Sequence, residues 1–242
     1  MATTICLDFG NTRKKLAVFR GKELQEVIVL EDDSEERLRA VVDRVKPDRS
    51  ILSSVIEHNP AIEEVLTGKT KFHKLSVQTK LPFTTPVGKP ETIGADRLAL
   101  AAAAVHFYPK RNNLIIGLGS CITYNFVNKF NEFIGGGISP GMEMRLKALS
   151  HFTARLPLVK PELNIPVIGY DTSTNILSGV IIGMSKEIDG FIEAYEEKFG
   201  NFNAVLTGGD IPFLASHLKS KIFADPELIF KGLYAISEAN NS

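Results

Sequence analysis

The hydrophobic and polar positions at the start of the chain form three short apolar runs separated by turn residues. The runs cover residues 5–7, 16–19 and 26–30, and a glycine turn follows each of the first two. Short apolar runs bounded by glycine and small polar residues are typical of β-strands. The pattern therefore predicts three consecutive strands joined by turns.

Further along, the apolar spacing alternates between that of helices and that of strands. Residues 34–45 place Leu38, Val41, Val42 and Val45 on one helical face. The same reasoning predicts helices at 60–66, 95–105 and 175–199, and strands at 48–55, 72–75 and 204–206. Three prolines within 81–90 predict an extended loop. This order of elements predicts an α/β fold.

A second set of strands repeats the first at a constant offset of 109 residues. Residues 114–121 align with residues 5–12, and a further strand at 122–127 and a short apolar run at 132–134 follow. Two copies of one strand–turn–strand unit predict a duplicated α/β domain. We place the N-terminal domain at 1–110 and the C-terminal domain at 111–242.

Composition and charge exclude several classes of protein. Lys plus Arg and Asp plus Glu both number 28, so no field of one sign favours a nucleic acid or a membrane surface as partner. The chain has no signal-peptide pattern and no run of 18 apolar residues, and we expect a cytoplasmic protein. Two cysteines and five scattered histidines predict neither a disulfide framework nor a zinc site. Serine-hydrolase elbows and P-loops are absent from the sequence.

The first turn combines groups that suit a phosphate. Asp8 lies at a strand end, Gly10 lets the backbone approach a ligand, and Asn11 and Thr12 add donors. Three cations, Arg13, Lys14 and Lys15, follow, and alternation along a strand directs one or two of them to the site. Such a turn can hold a phosphate tail while Asp8 faces magnesium. A surface hairpin that uses Asp and Asn for turn geometry is the alternative.

The turn at Gly117–Leu–Gly–Ser–Cys121 has the same two interpretations, a tight hairpin or a phosphate cradle. The segment Gly94, Ala95, Asp96, Arg97 opens the alanine-rich helix and could be only a helix cap and an exposed ion pair.

The ordered set of motifs resembles the type III pantothenate kinases over nearly the whole chain. The motifs are Asp-x-Gly-Asn-Thr at 8–12, Gly-x-Asp-Arg at 94–97, the glycine-rich segment 135–141, Ile-Gly-Tyr-Asp-Thr at 168–172 with Ser178 and Gly179, and Thr-Gly-Gly at 207–209. The resemblance implies a kinase of the actin, sugar kinase and Hsp70 superfamily, with two duplicated ribonuclease H-like domains and ATP in the interdomain cleft. Such a kinase phosphorylates the primary hydroxyl of pantothenate to 4′-phosphopantothenate, the first step of coenzyme A synthesis. The resemblance also implies a homodimer in which the neighbouring subunit partly closes the pantothenate pocket.

The resemblance assigns roles residue by residue. The ATP-binding residues would be Asp8, Phe9, Gly10, Asn11, Thr12, Arg13, Lys14 and Lys15, then Gly119 and Ser120, then Gly208 and Gly209 near the adenosine. Those for pantothenate would be Val87, Gly94, Ala95, Asp96, Arg97 and Thr172. Asp8 would organise magnesium, directly or through water, and Asp96 would accept the hydroxyl proton. Arg97 could hold the carboxylate of pantothenate or orient Asp96.

Two departures from the family pattern bear on these roles. Gly117 replaces the family's aspartate ligand for an activating monovalent cation, which puts dependence on potassium or ammonium in doubt. A site made of carbonyl groups, or a residue of a partner, could compensate for the lost carboxylate. Val87 replaces an aromatic residue of the pantothenate pocket. The departures leave two alternatives beside an active pantothenate kinase. One is a catalytically impaired nucleotide-binding homologue with a regulatory role, and the other is an acetate or sugar kinase of the same superfamily.

Overall fold

The computed structural model describes residues 1–76, 78–86 and 88–241, which form two compact units. Unit 1 contains Met1–Lys110, Phe130–Ile134 and the C-terminal residues from Glu227 onward, and unit 2 contains Arg111–Lys129 and Gly135–Pro226. The sequence-based division differs from these units in residues 130–134 and 227–242, which it placed in the C-terminal domain. Within the described ranges, no helix is long and apolar enough to span a membrane.

Ten strands and seven helices are present in the described residues. The strands are β1 (Thr3–Phe9), β2 (Lys14–Arg20), β3 (Glu23–Leu30), β4 (Arg49–Ser54), β5 (Lys71–Lys74), β6 (Asn113–Leu118), β7 (Cys121–Val127), β8 (Phe133–Pro140), β9 (Asn203–Gly208) and β10 (Phe223–Ala224). The helices are α1 (Glu35–Val45), α2 (Ala61–Lys69), α3 (Ala95–Phe107), α4 (Met142–His151), α5 (Thr172–Phe199), α6 (Ile211–Leu214) and α7 (Leu228–Asn241).

The two sheets have the same strand order. The first runs β3-β2-β1-β4-β5, and the second runs β8-β7-β6-β9-β10. Strand β1 pairs antiparallel with β2 and parallel with β4. In the second sheet, β6 likewise pairs antiparallel with β7 and parallel with β9. The predicted duplication of an α/β unit is therefore confirmed.

Local sequence explains why several elements begin and end where they do. The hydroxyl of Ser34 accepts the amide of Arg37 and caps α1, whose Leu38 and Val42 are buried on one face. Lys46 ends the same helix with φ 49°, in the left-handed region. The predicted amphipathic helix is thereby confirmed.

The C-terminal helix α7 packs in unit 1 because small residues let it approach α3 closely. A Cβ added at Gly232 would lie 2.0 Å from the carbonyl oxygen of Ala99, so the two backbones are in contact. On α7, Tyr234 stacks on Phe19 of β2 with ring centroids 4.7 Å apart. These contacts explain why the last residues of the chain leave the C-terminal unit.

Strand β8 is longer than the predicted run at 132–134, because it continues through three consecutive glycines. At Gly136, φ is 155° and an added Cβ would lie 1.7 Å from the carbonyl oxygen of Tyr124. Glycine weakens a strand in isolation, but here its missing side chain permits a close approach to β7.

Candidate active site

Asp8 lies near the carboxyl end of β1, between two polar neighbours. In the strand register it is opposite Lys15 of β2 and Ser53 of β4. Register partners in adjacent strands place their side chains on the same face of the sheet. The half-buried Asp8 carboxylate is therefore flanked by a cation on one side and a buried hydroxyl on the other.

The environment of Asp8 favours its neutral form in the absence of a bound cation. Burial and then the negative charge of Asp96 raise the pKa of Asp8 from 3.8 to about 7. Lys15 and the hydroxyl of Ser53 act in the opposite direction on this pKa. Since the charge of Asp96 is felt at Asp8, β1 and the start of α3 bring the two carboxylates into one site.

These two carboxylates fit the site of a divalent ion, which would relieve their repulsion. No cluster of three or more His, Cys, Asp or Glu side chains able to hold a metal occurs among the described residues. Magnesium commonly binds through one or two carboxylates and completes its shell with water and substrate phosphates. Asp8 is therefore suited to hold magnesium together with a nucleotide rather than alone.

The remaining residues of the first turn differ in whether their side chains lie on the face of the sheet that carries Asp8. Lys14 pairs with Asp33 at 3.2 Å and lies opposite Phe9, so it projects to the face away from Asp8. The amide of Gly10 donates to the carbonyl of Arg13 at 3.1 Å and closes the turn, in which the predicted ligands Asn11, Thr12 and Arg13 are exposed. Of the two predicted phosphate cations within β2, Lys15 and not Lys14 is on the face of Asp8.

The predicted ATP-binding residue Phe9 has a fully buried side chain. It packs edge-on against His58 with ring centroids 5.6 Å apart. Only the backbone of Phe9 is therefore suited to contact a ligand at this turn.

The second carboxylate, Asp96, lies in the first turn of α3. Burial raises its pKa, while the backbone amide and the positive charge of Arg97 oppose the rise. A Cβ added at Gly94 would lie 2.5 Å from Oδ1 of Asp96, so the carboxylate occupies the space above this glycine. Ala95, Asp96 and Arg97 are half-buried, whereas the alternative interpretation of this segment placed them on the exposed surface.

Arg97 contacts an aromatic ring of the same unit. Its guanidinium carbon lies 5.5 Å from the ring centroid of Phe133, the first residue of β8. This distance is that of a cation–π interaction, which fixes the direction of the side chain.

In unit 2, Gly141 and Gly208 pack closely against the backbone of the turn at 117–121. The amide of Gly119 donates to the carbonyl of Cys121 at 3.1 Å. A Cβ added at Gly141 would lie 2.2 Å from the carbonyl oxygen of Gly119, and one at Gly208 would lie 2.2 Å from that of Leu118. The turn containing the predicted ligands Gly119 and Ser120 is thus packed against the glycine-rich segment and against the Thr-Gly-Gly turn.

The face of unit 2 around Gly117 is neutral. Gly117 lies opposite Thr123 of β7 and Thr207 of β9. The buried amide Nδ2 of Asn125 donates to the carbonyls of Ile115 and Thr123 and to Oγ1 of Thr123 at 3.1–3.3 Å. An amide donor therefore contacts these oxygen atoms, and Gly117 supplies no carboxylate to this group of residues.

The predicted pantothenate residue Thr172 begins α5 and is exposed. It lines an open cleft between α4 and α5 together with Phe152 and Ile176. Ser178 donates to the carbonyl of Val167 at 2.6 Å and holds the preceding segment against the helix, which explains why serine occurs in this motif. Gly209 follows Gly208 and is exposed. Val87 lies outside the described residues.

Sequence reasoning did not assign two residues that the structure adds to these sites. In the sequence, Ser53 was assigned only to the end of a predicted strand, and Gly141 only to a glycine-rich motif. Their contacts with Asp8 and with the second turn depend on strand register and on packing between distant segments, for which the sequence offers no direct signal.

The chain is similar in sequence to known proteins of one family. A model of the type III pantothenate kinase family matches residues 4–194. The type III pantothenate kinase of Christiangramia forsetii is 40% identical over 98% of this chain and 99% of its own. That of Cytophaga hutchinsonii is 41% identical, again over 98% and 99%.

The fold is shared more widely than the sequence. The crystal structure of a glucokinase from an Antarctic psychrotroph superposes with a TM-score of 0.54 at 10% identity, covering both chains completely. The predicted class of two ribonuclease H-like, actin-like domains is thereby confirmed. Since the family model spans most of the chain and the relatives align over nearly all of it, the protein belongs to the type III pantothenate kinase family.

Proposed function

We propose that the protein transfers the γ-phosphate of ATP to the primary hydroxyl of pantothenate and so forms 4′-phosphopantothenate for coenzyme A synthesis. The observation that carries this proposal is the meeting of Asp8 and Asp96 in one site of a chain from this family. Asp96 accepts the hydroxyl proton, because burial raises its pKa and makes its carboxylate a better base than an exposed one.

ATP is held mainly by backbone groups and by one cation. The turn at Gly10 is the phosphate-binding turn of unit 1. The turn at Gly119, with the hydroxyl of Ser120, is the corresponding turn of unit 2. Lys15 neutralises phosphate charge on the face of Asp8, and the turn of Gly208 and Gly209 accepts the adenosine. A magnesium ion held by Asp8 would supply charge neutralisation on the transferred phosphate.

In unit 1, pantothenate is bound by the Gly94–Arg97 segment; Thr172 of unit 2 is a further pantothenate residue that the family resemblance implies. The guanidinium of Arg97 lies over the ring of Phe133, and its positive charge lowers the pKa of Asp96. We propose that this cation also binds the carboxylate of pantothenate.

A second copy of the chain is the proposed occupant of the cleft that Thr172 lines. Phe152, Ile168 and Tyr170, near this cleft in sequence, are more than four-fifths exposed. Apolar exposure of this kind marks an interaction surface. The resemblance implies that the neighbouring subunit closes the pantothenate pocket, and Thr172 lies on the same cleft. Sedimentation at micromolar concentration should give a dimer; a fully active monomer would contradict this assembly.

The neutral set of groups around Gly117 leads us to propose that activity does not depend on potassium or ammonium. Turnover should change by less than about twofold when potassium is replaced by tetramethylammonium at constant ionic strength. The apparent unfolding temperature should likewise be insensitive to potassium. A loss of turnover of tenfold or more without potassium, or stabilisation by potassium alone, would show that another group supplies a cation site.

A coupled ATP-turnover assay with a panel of acceptors tests the main proposal. With magnesium present, pantothenate should support turnover, whereas acetate and hexoses should not. Faster turnover with acetate or a sugar would favour that kinase class. Calorimetric binding of ATP without any turnover would instead indicate the catalytically impaired homologue.

A further inference from the structure

The hydroxyl of Ser53 is buried beside Asp8, whose pKa it lowers, and it makes no well-formed hydrogen bond within the described residues. The residue is 0% exposed, and its Oγ makes no hydrogen bond with any group in the part of the chain that the structure describes. Buried hydroxyls are normally hydrogen-bonded, because an unpaired one costs folding free energy. A buried donor left unpaired next to a carboxylate therefore calls for a functional explanation.

The direction of Ser53 follows from the strand register. Ser53 is the β4 partner of Asp8, so both side chains lie on the same face of the sheet. The hydroxyl is close enough to interact with the carboxylate, although it has not reached the geometry of a hydrogen bond. A small rotation of either side chain is sufficient to form that bond.

Neighbouring serines of the same strand are satisfied by protein groups. Ser50 bonds to Thr70 through the two hydroxyls at 2.5 Å. Ser54 donates to the carbonyl of Ile56 at 2.9 Å and contacts Nδ1 of His58 at 3.0 Å. Both belong to the opposite face of the sheet from Ser53. The unpaired state of Ser53 is therefore specific to the face that carries Asp8.

The duplicated unit has a hydroxyl at the equivalent position. In unit 2, Gly117 takes the place of Asp8 at the offset of 109 residues, and its partner in β9 is the buried Thr207. Oγ1 of Thr207 has a protein partner, the carbonyl of Pro226 at 3.4 Å. Where the carboxylate is missing, the hydroxyl is thus used for packing. Where the carboxylate is present, the hydroxyl remains available to it.

We propose that Ser53 is a positioning residue, whose hydroxyl donates to the Asp8 carboxylate and holds it toward the divalent ion when a magnesium–nucleotide complex binds. The role rests on the proposed function, since it assigns Asp8 to magnesium. Lys15 and Ser53 then hold the carboxylate from both sides, which leaves its free lone pairs for the ion or its water.

The test compares Ser53→Ala with the wild type in calorimetric binding of AMP-PNP at several magnesium concentrations. We expect the dissociation constant of the magnesium complex to rise about tenfold, in line with the loss of a hydrogen bond to a charged group. Binding of AMP-PNP without magnesium should change by less than about twofold. In turnover with pantothenate, the half-saturating magnesium concentration should rise while kcat at saturating magnesium changes less.

Ser50→Ala is the matched control from the same strand. Removing its partnered hydroxyl should lower the unfolding temperature and leave magnesium–nucleotide binding unchanged. Ser53→Ala should not lower the unfolding temperature, because it removes an unpaired buried group. Ser53→Thr keeps the hydroxyl and should restore magnesium-dependent binding at least partly.

The outcomes separate this role from the proposed reaction. Unchanged magnesium–nucleotide binding in Ser53→Ala overturns the role of Ser53, whatever the acceptor is. A wild type that binds the magnesium complex but does not phosphorylate pantothenate overturns the proposed function alone. A wild type that does not bind magnesium and AMP-PNP overturns both.

Discussion

Replacing Asp8 by asparagine should stabilise the ligand-free protein at alkaline pH while it removes the proposed magnesium-organising group. The carboxylate has a folded-state pKa of about 7 because of burial and the charge of Asp96, against an ordinary value of 3.8. A folded-state pKa above the unfolded one means that the folded protein binds the proton more tightly. Ionisation of Asp8 therefore costs stability as the pH rises from about 4 to about 7.

The size of the effect follows from the pKa difference. At about 1.36 kcal/mol per pKa unit, the difference means that ionisation of Asp8 lowers the free energy of unfolding by at most about 4 kcal/mol above pH 7. Because Asp8 is only half-buried and solvent screens its charge, about 2 kcal/mol is the expected gain of the asparagine variant. For a protein of this size, 2 kcal/mol corresponds to a rise of roughly 4–8 °C in unfolding temperature.

The assay is thermal unfolding of both proteins, without nucleotide or magnesium, between pH 4 and pH 8.5. The difference in unfolding temperature should be small near pH 4, grow up to about pH 7 and stay constant above it. Asp33→Asn is a control that should lower the unfolding temperature at neutral pH, because the amide of Asn59 and the ammonium of Lys14 lower the pKa of Asp33. A pH-independent difference for Asp8→Asn, or destabilisation at pH 8, would refute this account of the site.

Three further substitutions probe the two turns and the proposed base. Gly94→Ala should reduce turnover at least about tenfold with little loss of stability, because the new Cβ displaces the flexible carboxylate of Asp96 and not the backbone. Gly141→Ala should lower both the unfolding temperature and the affinity for nucleotide, because its Cβ would meet the carbonyl of Gly119 at 2.2 Å. Lys15→Ala should raise KM for ATP about tenfold or more, as expected for loss of a phosphate-binding cation.

The Gly141 and Lys15 variants each have a control in the same unit. Gly190→Ala on α5 meets nothing within 4 Å and should stabilise the protein by about 0.5–1 kcal/mol. Lys14→Ala should affect KM less than Lys15→Ala, since Lys14 pairs with Asp33. Equal effects of the two lysine variants on KM would show that the alternation of side chains along β2 does not decide which lysine contacts phosphate. Unchanged turnover in the Gly94→Ala variant would argue against Asp96 as the base.

Regular patterns made much of the fold predictable. The amphipathic spacing of Leu38 and Val42 identified α1, and the repeat at an offset of 109 residues identified the second sheet before its order was known. Both signals are local or strictly periodic. They survive in the sequence because each copy must bury one face of its helices and sheet.

Other features depend on contacts between distant segments. The position of α7 follows from the backbone contact of Gly232 with Ala99, and the length of β8 from the approach of Gly136 to Tyr124. In both cases a glycine that weakens local structure is favoured by tertiary packing. The sequence showed the glycines but not their partners.

The charged residues of the candidate site could be predicted from the sequence, whereas the uncharged residue next to Asp8 could not. Asp8, Asp96 and Lys15 were predicted from the motifs, and the structure brings the three together. Ser53 requires knowledge of the register between β1 and β4, which no local pattern specifies.

The most direct test of the proposed reaction is the rate of 4′-phosphopantothenate formation, measured by mass spectrometry with magnesium and ATP, for the wild type and Asp96→Asn. The wild type should form the product, and the variant should be slower by at least about a hundredfold, the contribution typical of a positioned base. Its unfolding temperature should show that it remains folded. Product formation by a folded Asp96→Asn protein at a near-normal rate, or no product from the wild type, would contradict the account.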